Sequence, residues 1–518
     1  MKKLKIESQI EFNVIHSHFN RLKSKQEKLM PITLIIPPSP FLLDERVFMH
    51  LGILKIAAVL ETVNYPMEIL DLSGVDNYLD VVTDYVKKFP RIYGITATTP
   101  QMPSAYNIAK RIKQMSDSKI ILGGPHATLT NAACKQELKL NQGSRGHQSL
   151  KKLTDLFDVI VAGDGEFAIF EALAQTSPKI IDADDQKSSL FLSNENFTSL
   201  PIPARHLIDV SSYHYSIEGI PALSLIAQLG CPFGCNFCGG RHSPFLRKIR
   251  TRSIQSIISE MEHMYLTYGT KGFMLYDDEL NVNRQVIKLM ESITRLQEKH
   301  KTEFRLRGFV KSELFNADQA RAMYNAGFRW ILVGFESGSN RILTNMNKSA
   351  KKEQNDVCIN IAHRANLKVK ALMSIGHPGE SLETLTETTN WLIASNPNDF
   401  DISIITPYPG SPYYDHAIKE NNLFVFRAPK TGDALYQKEL DYTEIFDYYK
   451  GNPDGGYTCH IHTDYLLSED IIKHRDKMEK EVRARLNLPF NPIGSNIKYE
   501  HSMGQTVFPK MILNKPTR

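Results

Sequence analysis

From Pro31 onward, short apolar runs alternate with helical patterns along most of the chain. The run Ile32 to Pro38 (ITLIIPP) is almost wholly apolar, as expected of a strand buried on both faces, whereas Leu51 to Glu61 (LGILKIAAVLE) repeats its apolar positions with a helical period. MEILDL, RIYGITA, KIILGG and FDVIVAG predict four further strands, with helical patterns near residues 77–88 and 103–116 and a last helix over Gly165–Leu173. Strand and helix in alternation imply βαβ units, and therefore a parallel sheet covered by helices on both faces. Residues 31–180 are expected to form one doubly wound α/β domain, and the polar stretch 181–220 a linker.

A second alternating series begins at Ala222–Ala227 (ALSLIA) and continues through KGFMLYD, EFRLRGF, FRWILVGFE, LKVKALMSIG and FDISIIT, ending near Thr406. Six βα units of this spacing predict a partial parallel barrel, (βα)6, over residues 221–414, with its chemistry at the C-terminal ends of the strands. Beyond residue 415 the alternation stops. The Tyr- and Asp-rich segment 415–518 is expected to cap the barrel and meet the substrate.

Composition narrows the class. With 518 residues, 42% hydrophobic and 23% charged, the chain has room for two or three globular domains. No apolar run approaches the roughly 18 residues of a membrane span, and no apolar h-region marks a secretory signal, so the expected compartment is the cytoplasm. The net charge of +5 is concentrated at the start: residues 1–30 hold seven Lys/Arg against three acidic residues. This basic N-terminal extension is expected to be a solvated tail, and the body shows no basic face that would take nucleic acid.

The candidate chemistry lies in Gly230–Gly240 (GCPFGCNFCGG), where Cys231, Cys235 and Cys238 form C-x3-C-x2-C directly after the first barrel strand. Neighbouring thiols in a reducing compartment have no reason to form disulfides. Structural zinc takes four protein ligands, usually as two separated pairs, and no second C-x2-C exists. The remaining Cys134, Cys358 and Cys459 stand alone and read as small buried residues. Three thiolates on one loop suit an iron-sulfur cluster, with one iron left open to a substrate or cofactor.

At this point the sequence resembles the radical S-adenosylmethionine superfamily, whose signature is this cysteine spacing at this place in a partial barrel. The resemblance implies a 4Fe-4S cluster on Cys231, Cys235 and Cys238, with S-adenosylmethionine chelating the open iron and being cleaved to methionine and a 5′-deoxyadenosyl radical. It further implies contacts to S-adenosylmethionine from Phe237, from Asp277 and Asp278 in LYDDEL at the end of the second barrel strand, from Glu336 in VGFESGS and from Ser374 in SIGHPGES. Relatives often carry Ser-Arg-Gly before the first cysteine, where this chain has Gln228-Leu229-Gly230, so a contact made by that Arg is absent or replaced.

Ahead of the cluster, the turns PPSP, TATTPQ, GGPHAT and AGDGE fall at strand ends, where glycines and small hydroxyl residues let a large ligand approach the backbone at a topological switch point. In this order they resemble the flavodoxin-like cobalamin-binding domain of cobalamin-dependent radical S-adenosylmethionine enzymes. The resemblance implies cobalamin contacts from Thr96, Thr98, Gly123, Gly124, His126, Gly163, Gly165 and Glu166. His126 reads equally well as a structural residue of a tight turn, and a degenerate fold that binds no cobalamin is the alternative for the domain. The Asp-x-His-x-x-Gly motif that supplies a histidine to cobalt in other cobalamin proteins is missing.

The expectation is therefore a methyltransferase that methylates an unactivated carbon of a small molecule or peptide, served by an external electron donor of flavodoxin or ferredoxin type. A ring-forming or rearranging enzyme of the same family is one alternative, and a cobalamin- or redox-sensing binding protein another. A tRNA methylthiotransferase fits less well, since only Cys134 precedes the cluster. Tyr457, Cys459, His460 and His462 in the cap read as local packing rather than a metal site.

Overall fold

The computed structural model describes residues 14–489, apart from 27, 40–41, 43–44, 89–90, 142–144 and 449–455. Six parallel strands form the first sheet: β1 (Ile32–Ile36), β2 (Met67–Asp71), β3 (Ile92–Thr96), β4 (Ile120–Gly123), β5 (Val159–Gly163) and β6 (Ile180–Ala183). Every residue of β1 is buried, because strands flank it on both sides and helices cover both faces. The spatial order is β2-β1-β3-β4-β5-β6. The chain leaves β1 toward β2 and returns to β3 on the other side, so the loops after β1 and β3 diverge and open a crevice at the carboxyl edge.

Two segments differ from expectation. Residues 14–23, counted within the solvated basic extension, are helical and dock on this domain. Ile15, Phe19 and Leu22 are buried there, and the His18 ring stacks on Phe167 at 4.8 Å. Their i, i+4, i+7 spacing is the signal, hidden by the basic residues between them. The stretch expected as a linker is likewise built in. The end of β6 pairs with β5 up to Gly163↔Ala183, and buried Arg205 donates to the Ser224 carbonyl at 2.8 Å and to Glu260 Oε1 at 2.7 Å.

The second sheet has the order β15-β14-β13-β12-β11-β8-β7. A short antiparallel strand β7 (Ser216–Ile217) edges β8 (Ile220–Leu225). After the two-residue strands β9 (Gln228–Leu229) and β10 (Arg250–Thr251), which pair with each other, come β11 (Gly272–Leu275), β12 (Arg305–Phe309), β13 (Phe328–Glu336), β14 (Lys368–Ile375) and β15 (Asp399–Ile404). Strands β8 and β11–β15 are parallel and sit beside one another in chain order, and β15 does not pair back to β7 or β8. The sheet is thus an open half-barrel with all its C-terminal strand ends on one rim.

The cap contains more sheet than its pattern showed. β16 (Ile418–Glu420), β17 (Leu423–Arg427), β18 (Ala434–Lys438) and β19 (Ile461–Thr463) form an antiparallel sheet, and the helix Ser468–Arg485 lies along β15. Arg475 and Arg483 of that helix donate to the carbonyls of Ile402 and Phe400, at 3.0 and 3.1 Å. Among the described residues no helix is long and apolar enough to cross a membrane.

Candidate active site between the two sheets

The cysteine loop starts at a position only glycine fits. Gly230 has φ +88°, and a Cβ there would lie 2.2 Å from the Lys248 carbonyl oxygen. Its N–H donates to Asp278 Oδ2 at 3.0 Å, which ties the loop to the end of β11. Two other strand-end segments hold it. The Asn236 N–H donates to the Met346 carbonyl and the Asn347 side chain to the Gly234 carbonyl, both at 2.8 Å, from the segment after β13. Beyond β15, the Gly239 N–H donates to the Tyr408 hydroxyl at 3.0 Å and the Gly240 N–H to the Gly410 carbonyl at 2.8 Å.

Arg241, which the motif reading passed over, closes the loop on itself. Its guanidinium donates to the carbonyls of Cys231 (3.0 Å), Phe233 and Gly239 (3.3 Å). Burial works against its charge, but Cys238, Cys231 and Cys235 around it together raise its pKa. The three thiols are free, and burial pushes Cys238 up to about 12, so a thiolate there needs metal charge to form. Among the described residues no three His, Cys, Asp or Glu side chains converge as ligands of a single ion. A donor set of three thiols spread along one loop instead fits a polynuclear iron-sulfur cluster.

The acidic motif after β11 divides into different tasks. Asp277 is buried, and its Oδ1 accepts from the N–H groups of Ala227 (2.8 Å) and Gln228, fixing the end of β8. Asp278 orients the cysteine loop and lines the cavity described below. Gln228, which stands in the departure from Ser-Arg-Gly, donates its side-chain amide to the Glu279 carbonyl at 3.2 Å. Burial raises both Asp277 and Glu279 to about 7. Asp277 Oδ2 and Glu279 Oε2 are buried acceptors with no partner. Unfilled acceptors beside the cysteine loop are the complement of an ammonium group, and on this observation the site fits the amino group of S-adenosylmethionine.

Glu336 is aimed by its backbone. It has φ +68°, rare outside glycine, at a register shift between β13 and β14. Its Oε1 meets Lys348 Nζ at 3.3 Å and its Oε2 accepts from the Ser374 hydroxyl at 2.8 Å. Since that hydroxyl spends its one proton on Glu336, His377 Nε2, 2.8 Å away, must donate to it, and His377 Nδ1 accepts from the Tyr413 hydroxyl at 3.1 Å. Burial, then Lys348, lowers His377 to about 3, so the ring is neutral. Phe237 meets the edge of this ring at a centroid distance of 5.4 Å. Glu336, Ser374 and Phe237, predicted separately, are therefore joined through Lys348, His377 and Tyr413, which were not predicted; His377 lies within the SIGHPGES motif itself.

A cavity of about 710 Å³ lies between the two sheets. Its first wall is the crevice of the parallel sheet and includes Thr96, Thr98, Gly123, Gly124, Gly163, Gly165 and Glu166; its second includes Gln228, Leu229, Gly230 and Asp278, directly before the cysteines. A Cβ at Gly123 would meet nothing within 4 Å, so the cavity runs up to bare backbone there. A roomy, backbone-lined crevice opening toward the cysteine loop fits a large planar cofactor. His126 is placed elsewhere. It is 2% exposed, its ring nitrogens lie against Thr99 Oγ1 (3.2 Å) and Thr130 Oγ1 (3.4 Å), and burial lowers it to about 4.

In the cap, His462 stacks on Tyr436 at 4.7 Å, His460 pairs with Asp447 at 3.4 Å, and the Cys459 thiol donates to the Ile461 carbonyl at 3.2 Å. These residues do not converge.

A half-barrel carrying three thiols at its first strand end, joined across a cavity to a doubly wound domain, defines an enzyme that generates radicals beside a large bound cofactor. The comparisons agree. Residues 225–392 match the radical SAM superfamily and residues 46–146 the B12 binding domain. The chain joins the two domains of the cobalamin-dependent radical S-adenosylmethionine enzymes and belongs with them, and its cofactors are a 4Fe-4S cluster, S-adenosylmethionine and cobalamin.

It is 26% identical over 412 residues to an uncharacterized methyltransferase of Pyrococcus horikoshii, covering 76% of this chain and 85% of the relative. It is 24% identical to the anaerobic magnesium-protoporphyrin IX monomethyl ester cyclase of Cereibacter sphaeroides, covering 73% and 59%. Its fold is similar to that of the radical S-adenosylmethionine methyltransferase TsrM of Kitasatospora setae, solved with cobalamin and a 4Fe-4S cluster (TM-score 0.56, 16% identity, 78% and 81% covered).

Proposed function

We propose that this enzyme methylates an unactivated carbon of a small molecule or peptide, and that the cavity between the two sheets carries this function. When bound, the three cofactors supply a hydrogen-abstracting adenosyl radical and a transferable methyl group. Cys231, Cys235 and Cys238 hold the cluster, and Arg241 holds their loop in shape through three backbone carbonyls. Glu279 and Asp277 offer buried oxygens to an ammonium group, while Glu336, fixed by Lys348 and Ser374, offers a carboxylate at the next strand ends. Thr96, Thr98, Gly123, Gly124, Gly163, Gly165 and Glu166 line the wall of the large cofactor. The cavity runs from this wall to Gly230 and Asp278, directly before the cysteines, so a substrate held in it would be shielded from water between the two cofactor sites. His126, enclosed by Thr99 and Thr130, supports this wall without reaching the lumen. Electrons come from a flavodoxin- or ferredoxin-type donor, and the reducing cytoplasm is the compartment that keeps the thiols available.

A substrate-independent experiment tests the reading. Protein reconstituted anaerobically with iron, sulfide and cobalamin is reduced and given S-adenosylmethionine labelled in its methyl group. Labelled methylcobalamin on the protein, together with 5′-deoxyadenosine, is the expected result. Formation of 5′-deoxyadenosine without label on cobalamin would instead favour a ring-forming or rearranging enzyme, as in the cyclase relative. Formation of neither would leave a sensing protein.

A further inference from the structure

The wall at the β1 edge carries an imidazole that no motif singled out. His50 directly precedes the helix Leu51–Thr62, lines the cavity, and falls within the part matched to the B12 binding domain. Its Nε2 lies 3.3 Å from the side-chain nitrogen of Gln101. Which of the two donates follows from the other contacts of Gln101, a residue only 1% exposed. Gln101 Oε1 accepts from the Thr98 N–H at 3.1 Å and the Thr98 hydroxyl at 3.0 Å, while its amide nitrogen donates to the Pro37 carbonyl at 3.1 Å. Turning the amide over would set oxygen against oxygen at Pro37 and N–H against N–H at Thr98. The amide is therefore held in one orientation, and its second hydrogen points at His50 Nε2, which accepts it.

An imidazole that accepts at Nε2 carries its proton on Nδ1. Burial supports the neutral ring by lowering its pKa, against an opposing pull from Asp71. Nδ1 has no hydrogen-bond partner among the described residues and is not sealed in by protein atoms. The residue thus keeps an unused N–H, not a lone pair, on a side chain bordering the cavity.

We infer that His50 binds the corrinoid as a hydrogen-bond donor through Nδ1–H, to an oxygen acceptor such as a corrin side-chain amide or a water on cobalt, and that Gln101 prevents it from ligating cobalt. The inference rests on the cobalamin reading above. It gives the missing Asp-x-His-x-x-Gly motif a counterpart: a histidine is present in the wall, but a buried glutamine fixes the tautomer that cannot coordinate metal.

The test is anaerobic titration with cob(II)alamin, followed by electron paramagnetic resonance of the bound form. His50→Ala should weaken binding about fivefold, the value of one hydrogen bond. His50→Asn, whose amide N–H stands close to the position of Nδ1–H, should restore most of it. Gln101→Glu keeps the contact to the Thr98 hydroxyl but accepts from Nε2, so it moves the ring proton off Nδ1 and should weaken binding as His50→Ala does. The wild-type spectrum should show no nitrogen splitting that His50→Ala removes. A three-line splitting lost in His50→Ala would prove ligation and overturn the inference, as would unchanged affinity in both His50→Ala and Gln101→Glu. If the wild type bound no corrinoid at all, the cobalamin reading would itself fall and carry the inference with it; the two failures are distinct.

Discussion

Gly230 shows how tightly single positions are constrained around the cysteines. Its φ of +88° and the 2.2 Å approach of the Lys248 carbonyl leave no room for a methyl group, and the obstacle is backbone, which cannot turn aside as a flexible side chain would. Gly230→Ala is expected to cost roughly 1–3 kcal/mol in strain alone and to displace Cys231 next to it. Iron bound per chain after reconstitution should fall well below the wild-type value while the far-ultraviolet circular dichroism is kept. Full iron loading of this variant would show that the loop tolerates rearrangement. At the same scale, the cysteine spacing was legible in the sequence because one contiguous loop carries all three proposed ligands. Arg241 was not, since it works by reaching back to carbonyls, and nothing in a side-chain pattern records where carbonyls end up.

Between elements, the connection from the cysteine loop back to the parallel sheet rests on Arg250 of β10. Its Nη1 contacts both oxygens of Asp164, at 2.8 and 2.5 Å, and its Nη2 donates to the Phe245 carbonyl at 2.9 Å, with both charged side chains 1% exposed. Asp164 also accepts from the Leu192 N–H at 2.9 Å. The guanidinium sits over the rings of Phe191 and Phe245, at 4.7 and 5.1 Å. Removing one partner of such a buried pair leaves an unpaired charge and costs about 3–5 kcal/mol. Arg250→Leu should lower the urea midpoint accordingly. Because this contact ties the β9–β10 pair to the end of β5, its loss should also expose the segment around residues 184–194 to limited proteolysis. A variant as stable and protease-resistant as the wild type would refute this assignment. The element pattern predicted both parallel sheets well, since strands buried on two faces read as continuous apolar runs. It missed the sheet β16–β19, whose short strands mix charged and aromatic positions, and the docked helix at 14–23, whose apolar stripe is interrupted by lysine and arginine.

For the whole molecule, the consequence of one cavity shared by two sheets is linkage. A ligand that touches both walls must stabilise both, by RT ln(1 + [L]/Kd), or about 2.7 kcal/mol at a hundredfold excess over Kd. Added cobalamin should therefore raise the melting temperature by several degrees. It should also slow amide exchange both in Gly123–Thr128 of the first wall and in Gln228–Gly230 of the second. Protection confined to the first wall would show that the corrinoid does not reach the cysteine side.

The amino-acid sequence by itself determined the class of the fold and singled out the three cysteines proposed to hold the cluster. Both are local properties: strand burial is written in runs of adjacent residues, and the three cysteines fall within a span of eight residues. Tertiary structure decided everything that depends on residues distant in the chain. It placed Asp278 on the Gly230 amide, joined Glu336 to His377 through Ser374, and left His126 enclosed while opening His50 to the cavity. The physical reason is that a hydrogen bond depends on position and orientation in space, and those are set only when sheets and loops from far-apart segments pack together.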